Sequence, residues 1–269
     1  KADLRALVAA ASAGGFQAIS HWPQLYDGAR SQGLSAADIR HLLEDEGLEI
    51  AEHDALLSWL PTPGLPDGGN DLGSALLRRT AHDFFRIADA VGGRSLNVAQ
   101  AMPAGVSPDA AAEALVPVCE GAAKVGLQVS LEFLPWSDFP DPAAALAVVE
   151  ACGQSNLGLM VDAWHVFRGP GEVAGLRSVP GSLVVGTQLC DAPVEPSMSA
   201  PMEALKARLL PGEGAIALVE LVHTLDAIGS TAPIGVEVYS DALAEQDPVA
   251  VGRAAGDAAR AILAQARAA

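Results

Sequence analysis

Short apolar runs alternate along the chain with longer stretches in which apolar residues recur at helical spacing. Apolar runs of five to eight residues bounded by turn residues are typical of strands buried on both faces of a parallel sheet. Seven such strands are predicted, at 16–21, 48–53, 95–100, 127–133, 157–161, 182–191 and 233–241. Eight helices are predicted between and around them, at 2–13, after a cap at Ser35, at 75–91, 108–124, 142–151, 173–178 and 216–228, and from Pro248 onwards.

Regular alternation of strands and helices without a linker predicts one α/β domain over residues 1–269, a single (β/α)8 TIM barrel. The chain begins with a helix and has seven strands, so we expect that the first strand lies in a segment before Lys1. A doubly wound open sheet is the competing architecture, but its GxGxxG phosphate fingerprint does not occur. Three Pro- and Gly-marked stretches, 21–33, 58–71 and 191–214, are interpreted as loops.

Four strands end in an oxygen-bearing side chain. The active site of a parallel barrel lies at the carboxyl ends of its strands, so these side chains are expected to converge. Three buried carboxylates would repel one another, and a divalent cation would hold them together. Oxygen ligands favour Mg²⁺ or Mn²⁺, with Co²⁺ and Zn²⁺ as alternatives. The predicted metal ligands are Glu132, Asp162, Gln188 and Glu237.

Further polar and aromatic residues lie near these strand ends. His165, three residues after Asp162, could contact a substrate oxygen or move a proton, although a lone histidine beside Trp164 and Phe167 is more often structural. Arg208 could fork onto a substrate oxygen or be a solvated surface residue. Asp191 could orient a ligand or cap its own loop. The remaining candidates for the substrate pocket are His21, His53 and Trp136.

The net charge of −17 and the pI near 4.5 argue against a nucleic-acid partner, because such binding depends on Lys and Arg contacts to phosphates. The three cysteines are widely spaced and form no CxxC pair, which favours reduced thiols and a cytoplasmic protein. No run is apolar enough to span a bilayer, and no signal peptide precedes the first helix. We therefore expect a small-molecule substrate, no membrane partner, and either a monomer or a homo-oligomer.

Five segments, LEFLP, VDAWHVFRG, TQLCDAP, RLLPGEG and GVEVYSD, together resemble the xylose isomerase-like TIM-barrel superfamily of sugar phosphate isomerases and epimerases. The resemblance covers 128–241, about half of the chain. Gln188 followed by DAP, with an arginine before PGEG, is most similar to the 3-dehydroshikimate dehydratase branch. The resemblance implies metal ligands at Glu132, Asp162, Gln188 and Glu237, with His165 and Arg208 facing the substrate. The chain departs from the pattern at Ser20, where relatives often carry a glutamate.

The leading functional hypothesis is a metal-dependent isomerase or epimerase that removes a proton α to a carbonyl of a small polyhydroxylated substrate. Glu132 or Glu237 would be the base, and His165 would assist proton return. The first alternative is a dehydratase of the 3-dehydroshikimate type, in which the same proton removal is followed by loss of water. The second is a non-catalytic barrel that binds a metabolite or a partner protein.

Overall fold

The structure, a computed structural model, describes residues 3–60, 77–196 and 198–268. Its sheet has seven parallel strands in chain order, each paired with the next. They are β1 (Ala18–His21), β2 (Glu49–Leu56), β3 (Ser95–Ala99), β4 (Gln128–Glu132), β5 (Leu157–Asp162), β6 (Val184–Leu189) and β7 (Ile234–Val236).

Helices alternate with these strands. The α-helices of the described part are α1 (Leu4–Ala13), α2 (Pro23–Ser31), α3 (Ala36–Glu44), α4 (Ala81–Val91), α5 (Pro108–Lys124), α6 (Pro142–Cys152), α7 (Ala163–Arg168), α8 (Ala200–Lys206), α9 (Leu218–Ala227), α10 (Asp241–Ala244) and α11 (Pro248–Arg267). Two short 3₁₀ helices, Val173–Ser178 and Gly181–Leu183, precede β6.

The sheet curls into a barrel. On β2, the Glu52 carboxylate accepts a hydrogen bond of 3.0 Å from Gln188 on β6, although three strands lie between β2 and β6 in the sheet order. Side chains this far apart in an open, flat sheet could not meet, since neighbouring strands lie about 4.8 Å apart. The predicted TIM-barrel fold is confirmed.

The first and last helices, α1 and α11, pack against each other. A Cβ at Gly252 on α11 would lie only 2.1 Å from the Ala10 carbonyl oxygen, so this close approach requires glycine. Arg260 of α11 also donates to the Gly14 carbonyl at the end of α1 (2.7 Å). The outer layer thereby joins the two ends of the sheet, β1 and β7. That a segment before Lys1 supplies a further strand stays a prediction.

Capping residues explain several helix starts. Ser35 and Thr80 each form a reciprocal capping box with an aspartate three residues later, which satisfies backbone groups at the start of α3 and α4. Asp141 accepts from the Ala144 amide at the start of α6, and Pro142 occupies a first-turn position where its missing N–H costs nothing.

Two predicted loops contain helices. In 21–33, Pro23 begins α2, and the helix buries Tyr26 and Ala29 on one face. Apart from the adjoining backbone of α2 itself, no described atom lies within 4 Å of the position that a Cβ at Gly28 would take, so this glycine makes no close packing contact. In the 191–214 loop, α8 buries Glu203 and Ala204. The proline and glycine content of these two stretches suggested loops, but the spacing of their buried residues is that of a helix. The third predicted loop lies largely outside the described residues.

No helix in the described part of the chain is both long enough and apolar enough to cross a membrane.

His21 and His53 form a buried pair on the helix-facing side of the sheet. They are in register on β1 and β2, one residue after the Ser20–Glu52 pair, so their side chains leave the opposite face of the sheet from Glu52. Their ring centroids are 5.2 Å apart, and His53 Nε2 lies 2.8 Å from the Gly92 carbonyl oxygen at the end of α4. Both histidines therefore pack between the sheet and the helices.

Acidification is expected to destabilise the protein through His21. Burial, with a contribution from His53, lowers the pKa of His21 to about 3. An unfolded histidine titrates near 6.5, so between these values the unfolded chain binds more protons and stability falls as the pH falls. The loss attributable to His21 at pH 5 is about 2 kcal/mol. Urea unfolding of His21→Phe should therefore show a smaller difference between pH 7 and pH 5.

His82→Phe, at an exposed position of α4, is the control and should retain the wild-type pH dependence. Identical pH dependence in the His21→Phe variant and the wild type would contradict the assignment.

Candidate metal centre

The predicted strand-end residues converge inside the barrel. Glu132 ends β4 and Asp162 ends β5; Gln188 lies near the end of β6, and Glu237 directly follows β7. Residues in register on neighbouring parallel strands share a face, and Asp162 is in register with Gln188. The barrel thus brings onto one centre the four side chains that the sequence predicted as ligands, and the proposal that they bind a metal rests on this convergence.

A compact set of possible ligand atoms lies at β4 and β5. Glu132, Asp162 and His165 each offer one atom, and these three atoms lie within 4.8 Å of one another. His165 Nε2 is 3.3 Å from Glu132 Oε1. The structure therefore places His165 among the possible ligands, although the sequence suggested a role in proton transfer or substrate binding.

Arg208 is buried among the carboxylates. Its Nη1 lies 2.6 Å from Asp162 Oδ2 and 3.1 Å from Glu237 Oε2, and its Nε donates to the Ala204 carbonyl oxygen (2.8 Å). The guanidinium also lies 5.7 Å from the Trp164 ring centroid. Arg208 is only 2% exposed, which excludes the solvated-surface alternative.

The loop that follows Arg208 is fixed by Asp191. The Asp191 carboxylate accepts hydrogen bonds of 2.9 Å from the backbone N–H groups of Gly212 and Ile216, as well as from Ala192. The backbones of Asp191 and Leu209 exchange two further bonds of 2.8 Å. Both carboxylate oxygens of Asp191 are thus used by the loop, which favours the loop-capping interpretation over substrate contact.

Trp136 lies beside the centre. Its ring centroid is 5.8 Å from that of His165 and 6.1 Å from that of Trp164, and its Nε1 donates to the Ala101 carbonyl oxygen (3.1 Å). These aromatic rings form an apolar wall next to His165, consistent with a pocket role for Trp136. His21 and His53, in contrast, are not brought to the centre because they leave the other face of the sheet.

Sequence reasoning missed three residues of the barrel interior. On β2, Glu52 binds Gln188, and Asp54 accepts from Asn97 of β3 (2.9 Å). Asn97 Nδ2 also donates to Glu132 Oε2 (2.8 Å), while Asn97 Oδ1 accepts from Ser130 Oγ (3.0 Å). β2 was predicted to end at His53, which left Asp54 outside the strand. The signal that could have identified the pair is its spacing, because residues two apart in a strand, such as Glu52 and Asp54, lie on one face.

Among the described residues, five carboxyl groups share the interior with the Arg208 guanidinium: Glu52, Asp54, Glu132, Asp162 and Glu237. Burial raises the pKa of Glu52 to about 7, although the hydrogen bond from Gln188 opposes the shift. Burial, together with Glu52 and Glu132, raises the pKa of Asp54 well above its usual value. Burial also raises the pKa of Glu237 well above its usual value, despite the opposing charge of Arg208.

The pKa of Asp162 is shifted in the opposite direction from those of Glu52, Asp54 and Glu237. Burial alone would raise its pKa, but Arg208, His165 and the backbone amide of His165 outweigh burial, and the pKa of Asp162 is lowered. The Asp162 carboxylate also accepts from the Trp164 and His165 amides at 2.7 and 3.0 Å, so the start of α7 stabilises its negative charge. Asp162 is therefore the residue of the centre best held as an anion.

The donor set fits a divalent cation. Gln188 Oε1 and His165 Nδ1 are buried without a hydrogen-bond partner in the described part of the chain, and the carboxyl groups around them outnumber the single positive charge of Arg208. Carboxylate, carboxamide and imidazole groups are all ligands of divalent ions. A cation at this centre would supply both the missing positive charge and partners for unpaired ligand atoms.

Fold and site together define a TIM-barrel protein with an acidic centre at the carboxyl ends of its strands. The family model described as "Xylose isomerase-like TIM barrel" matches residues 7–263, and the chain belongs to this family.

Several known proteins are similar to this chain. A 3-dehydroshikimate dehydratase of Pseudomonas aeruginosa is 30% identical over 135 residues, which is 50% of this chain and 21% of the relative. The matched stretch thus spans about a fifth of that longer protein. The crystal structure of IolI protein, described with a bound zinc atom, aligns over 98% of this chain and 94% of its own at 15% identity, with a TM-score of 0.83. L-ribulose 3-epimerase aligns over 94% and 86% at 20% identity, with a TM-score of 0.65.

Proposed function

We propose that this chain is a divalent-metal-dependent enzyme that removes a proton α to a carbonyl of a small polyhydroxylated keto substrate. The observation that carries the proposal is the convergence of Glu132, Asp162, Gln188 and Glu237 around unpaired ligand atoms. These four residues would hold the cation, with His165 as a further possible donor at 3.3 Å from Glu132. When bound, the cation would supply Lewis-acid polarisation of the substrate carbonyl.

Glu237 is proposed as the base. Its side chain is 17% exposed, the most accessible of the acids in the ion pairs of the centre, so a substrate would reach this carboxylate most directly. Glu132, next to His165, is the alternative base. His165 would assist the return of the proton, and the rings of Trp136 and Trp164 would exclude water on that side.

Dehydration is the outcome that the curated relative favours. The relative is named a 3-dehydroshikimate dehydratase, and its match covers half of the present chain. Arg208, which is 2% exposed and already paired through Nη1 and Nε, would compensate the carboxylates of the centre rather than bind a substrate carboxylate. Epimerisation is the second candidate, favoured by the likeness of the barrel to L-ribulose 3-epimerase. Both outcomes begin with the same proton removal.

Metal analysis and a substrate panel test the proposal together. We expect the purified protein to bind Mn²⁺, Mg²⁺ or Zn²⁺, with a rise in melting temperature on addition of the ion because ligands of the native state stabilise it. Incubation with 3-dehydroshikimate should give an aromatic product if the enzyme is a dehydratase, and incubation with ketoses should give epimers if it is an epimerase. Chelation should abolish turnover, and re-addition of the ion should restore it.

Protein carried through the same chelation and dialysis without re-addition of an ion is the control for the restoration step. Neither bound metal nor turnover of any keto substrate would contradict the proposal and would favour a barrel that binds a metabolite or partner without catalysis.

A further inference from the structure

The Gln188 carboxamide is held through its nitrogen. Nε2 donates to Glu52 Oε1 at 3.0 Å and lies 3.5 Å from Glu237 Oε1, while Oε1 is buried without a partner among the described residues. A carboxamide binds a hard cation through its oxygen, and its NH₂ group can only donate. The orientation of this amide therefore decides whether Gln188 is a ligand at all.

Glu52 lies where it can determine the orientation of the Gln188 amide. The side chain extends from β2 across the interior to β6, where Glu52 Oε2 lies 4.0 Å from the position that a Cβ at Gly186 would occupy. Gly186 lies two residues before Gln188 and so on the same face of β6. The Glu52 carboxylate therefore lies against β6, beside Gln188.

Reversal of the amide is unfavourable with Glu52 in place. With Glu52 ionised, a rotated Gln188 would bring its amide oxygen to about 3 Å from a carboxylate oxygen, and two acceptors would face each other. The neighbouring Glu237 carboxylate disfavours the rotated form for the same reason. Asn97 differs from Gln188 in that its amide oxygen is paired. Its Nδ2 donates to Asp54 and Glu132, and its Oδ1 accepts a hydrogen bond from Ser130 Oγ.

We propose that Glu52 is a positioning residue that holds Gln188 with its amide oxygen free for the cation, and that it thereby sets the metal affinity of the centre. The inference rests on the proposed function only in requiring that the centre binds a divalent ion. Partners that orient metal ligands typically change metal affinity by about 10–100-fold when they are removed.

The test is a calorimetric Mn²⁺ titration of the metal-stripped full chain in four forms: wild type, Glu52→Gln, Gln188→Glu and the double variant. Glu52→Gln is expected to weaken Mn²⁺ binding, because an amide at position 52 can pair with either orientation of Gln188. The expected loss is about 2-fold if both orientations of Gln188 become equally populated, and up to about 10-fold if the reversed one is preferred. In the Gln188→Glu background, the same change should leave affinity unchanged or raise it. There the amide at position 52 can donate to the new carboxylate at position 188, which the native Glu52 carboxylate would repel.

This reversal separates positioning from a general loss of charge or structure. Asp54→Asn removes a neighbouring carboxylate of β2 whose described hydrogen bond is to Asn97 rather than to Gln188, and its effect should be the same in both backgrounds. Urea unfolding of each metal-free variant checks that it is folded. Equal weakening by Glu52→Gln in both backgrounds, or unchanged affinity in Glu52→Gln, would overturn the inference alone. Wild-type protein that binds none of Mn²⁺, Mg²⁺ and Zn²⁺ would overturn the proposed function and this inference with it.

Discussion

Replacement of Arg208 by methionine is expected to destabilise the metal-free protein by about 3–5 kcal/mol, because removing one partner of a buried ion pair leaves the other charge uncompensated. Asp162 is fully buried and would lose its 2.6 Å contact, and Glu237 would lose a contact of 3.1 Å. For a chain of this size the expected fall in melting temperature is about 6–20 °C. Thermal and urea unfolding in the presence of a chelator would measure it.

The matched control is Arg267→Met. Arg267 pairs with Asp226 at 3.1 Å, but the two side chains are 53% and 39% exposed. Exposed pairs contribute about 0–1 kcal/mol, so this variant should remain close to the wild type. Addition of Mn²⁺ should recover part of the lost stability of Arg208→Met, since a cation would compensate the same carboxylates. Equal stability of the two variants without metal would contradict the role given to Arg208.

Replacement of Glu237 by glutamine is expected to lower turnover by about 10²–10⁴-fold, the usual contribution of a positioned base. Glutamine keeps the shape and one oxygen of the side chain, so metal binding should be retained, though weaker. Steady-state kinetics on the substrate identified by the panel, together with Mn²⁺ titration, would separate loss of chemistry from loss of metal. Glu245→Gln, at an exposed position after α10, should keep full activity.

Full activity of Glu237→Gln would remove Glu237 from the reaction and leave Glu132 as the remaining proposed base. Loss of both metal binding and folded structure would instead assign Glu237 a structural role, which the ion pair with Arg208 would then explain.

The sequence predicted the convergence of the centre because strand ends in a parallel barrel meet by geometry. An apolar run followed by a polar residue was enough to place Glu132, Asp162 and Gln188 on one face. Arg208 belongs to no strand, and its position depends on backbone pairing of its segment with Asp191 and Tyr239. That pairing leaves no local pattern in the sequence, so burial of the guanidinium could not be predicted.

The acids of β2 were missed for a different physical reason. Sequence patterns identify buried strands by apolar residues, whereas Glu52 and Asp54 are buried because other side chains satisfy them: Gln188 and Asn97. The register between β1 and β2 also shifts between Ile19 and Ser20, so the face of each residue could not be counted from the start of the strand. Partners distant in sequence, and one irregular residue, decide which side chains enter the interior.

The loop anchored by Asp191 offers a way to change the substrate specificity of the barrel. Its backbone is anchored at Leu209, Gly212 and Ile216, while Glu213 and Ala215 at its tip are exposed. A Cβ at Gly214 would lie 2.3 Å from the Ala192 carbonyl oxygen, so that position must stay glycine. The Glu213 carboxylate accepts from the Leu210 N–H (3.2 Å) and is a further anchor. A library that randomises Ala215 would therefore alter the rim of the barrel while the anchors keep the loop in place, and selection for new substrates could proceed without disturbing the carboxylates below.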